Sequence, residues 1–355
     1  MIAHSKPTLD SADAAAVSAV VASGQLACGP RTAEFEDNVA AYIGATAGVA
    51  FSSGSAALHA SLVALRIGPG DEVLLPSYVC TAPYTAIQLA GATPVLVDID
   101  GRTFNIDVED ARSKVSPRTR AVIAPHMFGL PADVEGLTSI GRRVAIIEDC
   151  AMSLGTRIGD QRAGSRGVCA VFSFYATKMI STGEGGMVLS SDATLLDALR
   201  DLRAYDGREA YAMRPNYKMT DMQGALGTTQ LHKLPSFIER RREIARTYDA
   251  ALRALGHEPP LAPLGVDQVY YRYVVRVPSA DDFIAAMHVH GVDCRKPVYK
   301  PIHRYLGSDA CPVADDVWRT AVSIPIYPSL SNAEMAHVVR SMTDVVRALK
   351  SGAQF

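Results

Sequence analysis

Seven short apolar runs, at 48–53, 72–77, 93–99, 120–128, 144–150, 168–174 and 186–191, alternate with helix-patterned segments through the first two thirds of this 355-residue chain. Stretches such as Val144-Ala145-Ile146-Ile147 and Val95-Leu96-Val97 are apolar at successive positions. A strand that is apolar on both faces must be covered on both faces, and helices do this in a parallel α/β sheet. One intervening segment, 55–67, carries apolar residues at 57, 58, 62 and 65 and stops at Gly68-Pro69-Gly70. Segments 79–90, 107–115 and 195–204 also read as helices. The predicted fold class is therefore α/β, a mostly parallel seven-stranded sheet of doubly wound type. Such sheets place their chemistry outside the carboxyl ends of the strands.

The pattern changes after residue 234. Leu234-Pro235 reads as the opening of a long helix at 236–254, with a solvated charged face around Arg240, Arg241 and Arg242. The Pro-rich 256–267 stretch reads as a loop. Beyond it come an alternating strand (271–277), a helix (280–290), an irregular stretch (296–306), an apolar strand (322–327) and a last helix (332–349). The expected division is a large α/β domain over 1–240 and a small α+β domain over 241–355.

Composition narrows the function classes. Apolar residues at 48% and charged residues at 20% describe an ordinary globular chain. A net charge of −2 gives no basic footprint for nucleic acid. No apolar run reaches the ~18 residues that a membrane helix needs, and residues 1–7 lack the apolar core of a signal peptide. The six cysteines form no CxxC pair, which fits reduced thiols in the cytoplasm. His288 and His290 fall on different faces of their helix, and no metal site is expected.

The stretch Phe172-Ser173-Phe174-Tyr175-Ala176-Thr177-Lys178, followed by Gly183-Glu184-Gly185-Gly186, places one amine just past a strand and before a glycine-rich turn. Lysine amines form Schiff bases, and pyridoxal 5′-phosphate (PLP) is the common partner of a lysine held this way. A PLP site needs that amine, a carboxylate facing the pyridine nitrogen, and N–H groups for a dianionic phosphate. Lys178 is the amine candidate and the acid–base group for the substrate's α-proton. Asp149, ending the 144–150 run, is the carboxylate candidate; its charge raises the ring nitrogen's pKa. Ser53-Gly54-Ser55 joins a strand to a helix and is the phosphate cradle, to which Ser173 adds a hydroxyl.

Together these residues resemble the DegT/StrS-type sugar aminotransferases, PLP enzymes of aspartate-aminotransferase fold (fold type I). The resemblance runs nearly end to end. It includes Ser52-Ser53-Gly54-Ser55-Ala56-Ala57-Leu58-His59, Gly68-Pro69-Gly70-Asp71-Glu72-Val73 and Glu148-Asp149-Cys150-Ala151. Thr182-Gly183-Glu184-Gly185-Gly186 and Asn216-Tyr217-Lys218-Met219-Thr220-Asp221 continue it. It implies that Lys178 holds PLP, that Asp149 pairs with its nitrogen, and that Gly54, Ser55 and Ser173 bind its phosphate. It also implies that Asn216 reaches the phosphate of a neighbouring subunit in a homodimer with sites at the interface. Departures from the family pattern are Cys80 for a ring-stacking aromatic, Met152 for a glutamine near the cofactor hydroxyl, Tyr175 for a histidine and Lys218 for an arginine. The activity implied is amination of a keto group on a nucleotide-linked sugar, with L-glutamate (or glutamine) as donor. The alternatives are a cyclitol ketone or free keto sugar as acceptor, or a non-catalytic PLP-binding regulator. Tyr175, Tyr299 and His303 are the candidate substrate contacts, the last two in a loop expected to help close the pocket.

Overall fold

The computed structural model describes residues 1–207, 209–261 and 263–350. All seven predicted strands form, within two or three residues of the expected bounds. They are β1 (Ala47–Phe51), β2 (Glu72–Pro76), β3 (Thr93–Val97), β4 (Thr119–Pro125), β5 (Ala145–Asp149), β6 (Cys169–Ser173) and β7 (Gly186–Ser190). They make one sheet in the order β1-β7-β6-β5-β4-β2-β3. Strands β2 to β6 pair in parallel, whereas β7 is antiparallel to both β1 and β6. A parallel neighbour needs a long crossover, but an antiparallel one needs only a turn. The segment between β6 and β7 is such a turn. The Phe174 N–H donates to the Gly185 carbonyl at 2.9 Å, and the Thr182 N–H donates to the Phe174 carbonyl at 2.9 Å.

The doubly apolar runs serve cores on both faces of the sheet. Val49, Leu75, Ile123, Ile147, Val171 and Val188 pack on one face with the helix Gly54–Ala64. Ala50, Phe172 and Leu189 pack on the other face with the helix Pro30–Ile43, while Leu74, Val122 and Ile146 fill a further cluster. Neighbours in sequence thus enter different cores, as the period-two pleat requires.

The long helix corrects the sequence reading. It spans Asp221–Ala254 and passes through Pro235 rather than beginning there. Its start is a capping box: the Gln223 N–H donates to Thr220 Oγ1 at 3.3 Å, and the Thr220 N–H donates to Gln223 Oε1 at 2.9 Å. Proline removes one helix hydrogen bond. Burial of Leu231, Leu234, Phe237 and Ile238 on both sides of it holds the helix continuous.

The same helix carries Ile244, Ala245, Tyr248 and Leu252 into a separate core with Tyr273, Phe283, Ile324, Val338 and Met342. There β8 (Tyr273–Arg276) pairs antiparallel with β9 (Ala321–Ile324). The helices Ala280–Val289 and Asn332–Lys350 match the predicted ones. Ile2 packs on this core and bridges to Val292, so the first residues of the chain join its last quarter. The helices Ser11–Ser23, Pro30–Ile43 and Pro312–Thr320 were not expected from the sequence pattern. Among the described residues no helix is long and apolar enough to cross a membrane.

Candidate active site

β5 and β6 lie side by side in parallel, with Asp149 opposite Val171, so their carboxyl ends open on one edge. The turn leaving β1 meets them there. A cavity of about 230 Å³ lies between Ser53, Gly54, Ser55, Cys80, Asp149, Ser173, Tyr175 and Lys178. Glu184 also lines it; the sequence reading had placed this residue only in a glycine-rich turn.

The cradle has a local cause. Ser53 caps the helix Gly54–Ala64: its Oγ accepts the Ala56 N–H at 3.1 Å and its carbonyl accepts the Ala57 N–H at 3.0 Å. The Gly54 and Ser55 amides come earlier and have no partner within the helix. A helix start of this kind favours an anion. Two glycines let the parts meet. A Cβ on Gly54 would stand 3.0 Å from the Ser173 Cβ, and one on Gly186 would stand 2.3 Å from the Ser53 carbonyl oxygen. The second distance forbids any side chain at position 186, which gives part of the Gly-Glu-Gly-Gly turn its physical reason.

Asp149 is buried at 6% exposure. The one hydrogen bond to its carboxylate among the described residues comes from the Ala151 N–H to Oδ1, at 3.0 Å. Burial raises its pKa, against the opposing pull of that N–H and of the Lys178 charge. Glu148, the preceding residue, is treated oppositely. Its carboxylate accepts from His126 Nε2 at 2.9 Å, from the Gly164 N–H at 2.9 Å, from the Arg166 N–H at 2.7 Å and from the Gly167 N–H at 2.6 Å. His126 Nδ1 accepts the Ala132 N–H at 2.9 Å, which assigns the ring proton to Nε2. Burial opposes ionisation of Glu148, but these donors outweigh it and hold the carboxyl at about 2.

Lys178 sits in the turn after β6, where its N–H donates to the Tyr175 carbonyl at 2.8 Å. Its Nζ lies 5.1 Å from the centroid of the Tyr271 ring. Cys80 stands at the head of the helix Thr81–Leu89 without capping it. Its side chain is exposed at the cavity; desolvation by the surrounding protein pushes its thiol up, while the Lys178 charge lowers it.

Other expected residues lie outside the cavity wall. Met152 is half-buried in the turn after Asp149 and packs on two neighbouring cores. Asn216 is exposed on the segment before the long helix. Tyr299 and His303, expected in a pocket-closing loop, are placed differently from each other. The Tyr299 side is 86% exposed, and its carbonyl accepts the Trp318 Nε1–H at 2.9 Å. His303 is buried, with Nδ1 2.7 Å from Ser77 Oγ and Nε2 3.5 Å from Asp315. It pins the chain just after β2 through Ser77. Arg241 was expected on a solvated face but is buried at 3% exposure and donates to three backbone carbonyls. All six cysteines are free.

An amine, a buried carboxylate short of donors, and a helix start with free amides converge on one cavity. These are the three needs of PLP, and the lining of this cavity supplies each of them. Comparison with known proteins agrees. Residues 7–343 match the model of the DegT/DnrJ/EryC1/StrS aminotransferase family. The chain is 33% identical over 332 residues to GDP-perosamine synthase of Caulobacter vibrioides, covering 88% of this chain and 89% of that protein. It is 33% identical over 316 residues to the UDP-N-acetyl-3-dehydro-alpha-D-glucosamine 3-aminotransferase of Acidithiobacillus ferrooxidans, covering 85% of each. The solved structure of the aminotransferase TlmJ from Streptoalloteichus hindustanus superposes with a TM-score of 0.94 at 32% identity, over 99% of this chain and 100% of that one. The chain belongs to the DegT/DnrJ/EryC1/StrS aminotransferase family and is a PLP-dependent aminotransferase.

Proposed function

We propose that this enzyme converts a keto group on a nucleotide-linked sugar to an amine, taking the amino group from L-glutamate (or glutamine). The observation that carries the site assignment is the convergence of Lys178, Asp149 and the Ser53–Ser55 turn on one cavity. The sugar class is supported by the relatives' names, one acting with a GDP-linked and one with a UDP-linked sugar.

When bound, PLP supplies an electron sink for charge developing on the carbon that loses its proton. The remaining work belongs to the chain. The Gly54 and Ser55 amides, with the Ser55 and Ser173 hydroxyls, hold the phosphate. Asp149 keeps the pyridine nitrogen protonated, and a carboxylate buried with one donor gains by meeting that cation. Lys178 Nζ would hold the aldehyde carbon and, when free of it, would carry the substrate's α-proton. Cys80 packs beside the ring with less area than an aromatic residue gives. Met152, outside the cavity wall in the turn after Asp149, would approach the cofactor hydroxyl from behind that wall, and the exposed Tyr175 ring would meet substrate at the rim. Asn216 serves the phosphate of a neighbouring subunit, which makes the working unit a homodimer. The two cores support the division into 1–240 and 241–355, with the long helix shared. The six free cysteines support a cytoplasmic location.

The test begins with the purified protein, which is yellow and loses that colour on adding L-glutamate. Borohydride reduction followed by peptide mapping then finds the pyridoxyl group on Lys178, and Lys178→Ala abolishes both label and turnover. A label elsewhere, or turnover by that variant, removes the assignment. Comparing kcat/KM for GDP- and UDP-linked keto sugars with a cyclitol ketone and an unlinked keto sugar decides the acceptor. Equal values with and without the nucleotide exclude the nucleotide-linked reading.

A further inference from the structure

The segment Val269-Tyr270-Tyr271-Arg272 returns from the C-terminal part of the chain to the Lys178 turn, and several unfavourable features hold its path. Tyr270 has a φ of 49°, a left-handed conformation that a bulky residue adopts only under constraint. Arg241 Nη1 donates to the carbonyls of Tyr270 (3.3 Å), Tyr271 (3.3 Å) and Ile326 (2.8 Å). Its buried Nε has no partner among the described residues. A Cβ on Gly129 would stand 2.8 Å from Val269 Cγ2.

What this path delivers is the Tyr271 ring. The residue is 5% exposed, and its centroid lies 5.1 Å from Lys178 Nζ and 4.7 Å from the Arg272 guanidinium. Its hydroxyl accepts from Arg272 Nη2 at 3.3 Å and lies 3.4 Å from Thr177 Oγ1, on the residue next to Lys178. Nothing in the sequence marked Tyr271.

We propose that Tyr271 is a positioning residue for Lys178: its ring face seats the amine whenever the lysine is not bonded to the cofactor, and Thr177 and Arg272 fix the ring by its hydroxyl. This rests on the reading of Lys178 as the cofactor lysine. A lysine released from a covalent bond regains four rotatable bonds and loses its aim. An aromatic face within about 6 Å attracts the ammonium and keeps it near the reacting carbon. The same neighbours mark the phenol. Burial raises its pKa, but Lys178, Arg272, the Thr177 hydrogen bond and Arg241 outweigh burial and bring it to about 8.

The test reads the ultraviolet band of tyrosinate against pH in the cofactor-free protein. A phenol titrating at about 8 is expected, absent in Tyr271→Phe and displaced upward in Lys178→Met, which removes one positive neighbour. A Lys178→Met curve that overlays the unsubstituted one overturns the proposal. In single turnover with cofactor bound, Tyr271→Leu slows the return of Lys178 roughly tenfold, while Tyr271→Phe, which keeps the ring, loses a smaller factor. Equal losses in the two variants overturn the ring-face role. Should Tyr271→Leu fail to fold, the Lys178→Met titration still decides. Borohydride labelling separates the two claims: label on Lys178 with an unmoved titration sinks only the role of Tyr271, and absence of label sinks the cofactor reading itself.

Discussion

Glu148 and Asp149 are consecutive residues at the end of β5, both carboxylates and both buried, and the protein surrounds them differently. The Glu148 side is complete. A histidine and three backbone N–H groups converge on it, and the turn carrying Gly164 and Gly167 is shaped to supply them. A Cβ on Gly167 would stand 2.5 Å from the Ile146 carbonyl oxygen, so that turn is glycine by necessity. The Asp149 side has one N–H and an open cavity. A buried charge whose acceptors are filled locks structure, whereas one left short of donors is a binding site for a cation. The opposite pKa directions of the two neighbours express that difference.

The largest expected effect tests the Asp149 side. Asp149→Asn keeps the shape and removes the charge. Single-turnover reaction with L-glutamate is expected to slow about a thousandfold, the size typical of losing a charge aimed at the reacting group. The cofactor-free variant is expected to melt no lower than the unsubstituted chain at neutral pH, since burial already disfavours the ionised Asp149. Loss of stability together with an unchanged half-reaction would make Asp149 a structural residue and erase the contrast.

Next comes Glu148→Gln. It removes the charge that four donors were arranged to meet, and losing charge-assisted hydrogen bonds of this kind costs about 3 kcal/mol. The expected result is a lower midpoint in urea with the yellow cofactor band retained at saturating PLP. A variant that unfolds like the parent but no longer binds PLP would transfer the functional role to Glu148.

The sequence made the Asp149 side more legible than the Glu148 side. Apolar runs placed all seven strands because their alternate residues feed cores on both faces of the sheet, and the carboxyl ends of those strands located Gly54, Asp149, Ser173 and Lys178 around one edge. The donors to Glu148 were invisible, because backbone N–H groups at 164, 166 and 167 belong to every sequence and only the turn aims them. Tyr271 and Arg241 were missed for a related reason. They come from parts of the chain that the pattern assigned to a strand and a solvated helix face, and tertiary packing alone brings them to Lys178 and to the 270–271 carbonyls. Pro235 misled because a proline usually marks a helix start, whereas the Thr220–Gln223 capping box had already begun this one.

The smallest effect, on the order of 1–3 kcal/mol, is the pH dependence of the cofactor-free protein, and it separates the two carboxylates by sign. Glu148 in the folded chain lies below its ordinary value of 4.5, at about 2. Its contribution is therefore complete above 4.5 and is lost as the pH falls toward 2. Asp149 is shifted up from 3.8, so the folded chain holds its proton more tightly than the unfolded chain. Its contribution is complete below 3.8 and is lost as the pH rises through its folded value. Unfolding free energies measured in urea across this range for the parent, Glu148→Gln and Asp149→Asn resolve the two. The first variant is expected to flatten the acid limb of the stability curve. The second is expected to remove a decline at higher pH, and saturating PLP should remove the same decline from the parent, because the ring nitrogen then supplies the missing cation. If PLP leaves that decline in place, Asp149 does not meet the cofactor's charge, and the difference between the two sides of β5 is one of packing alone.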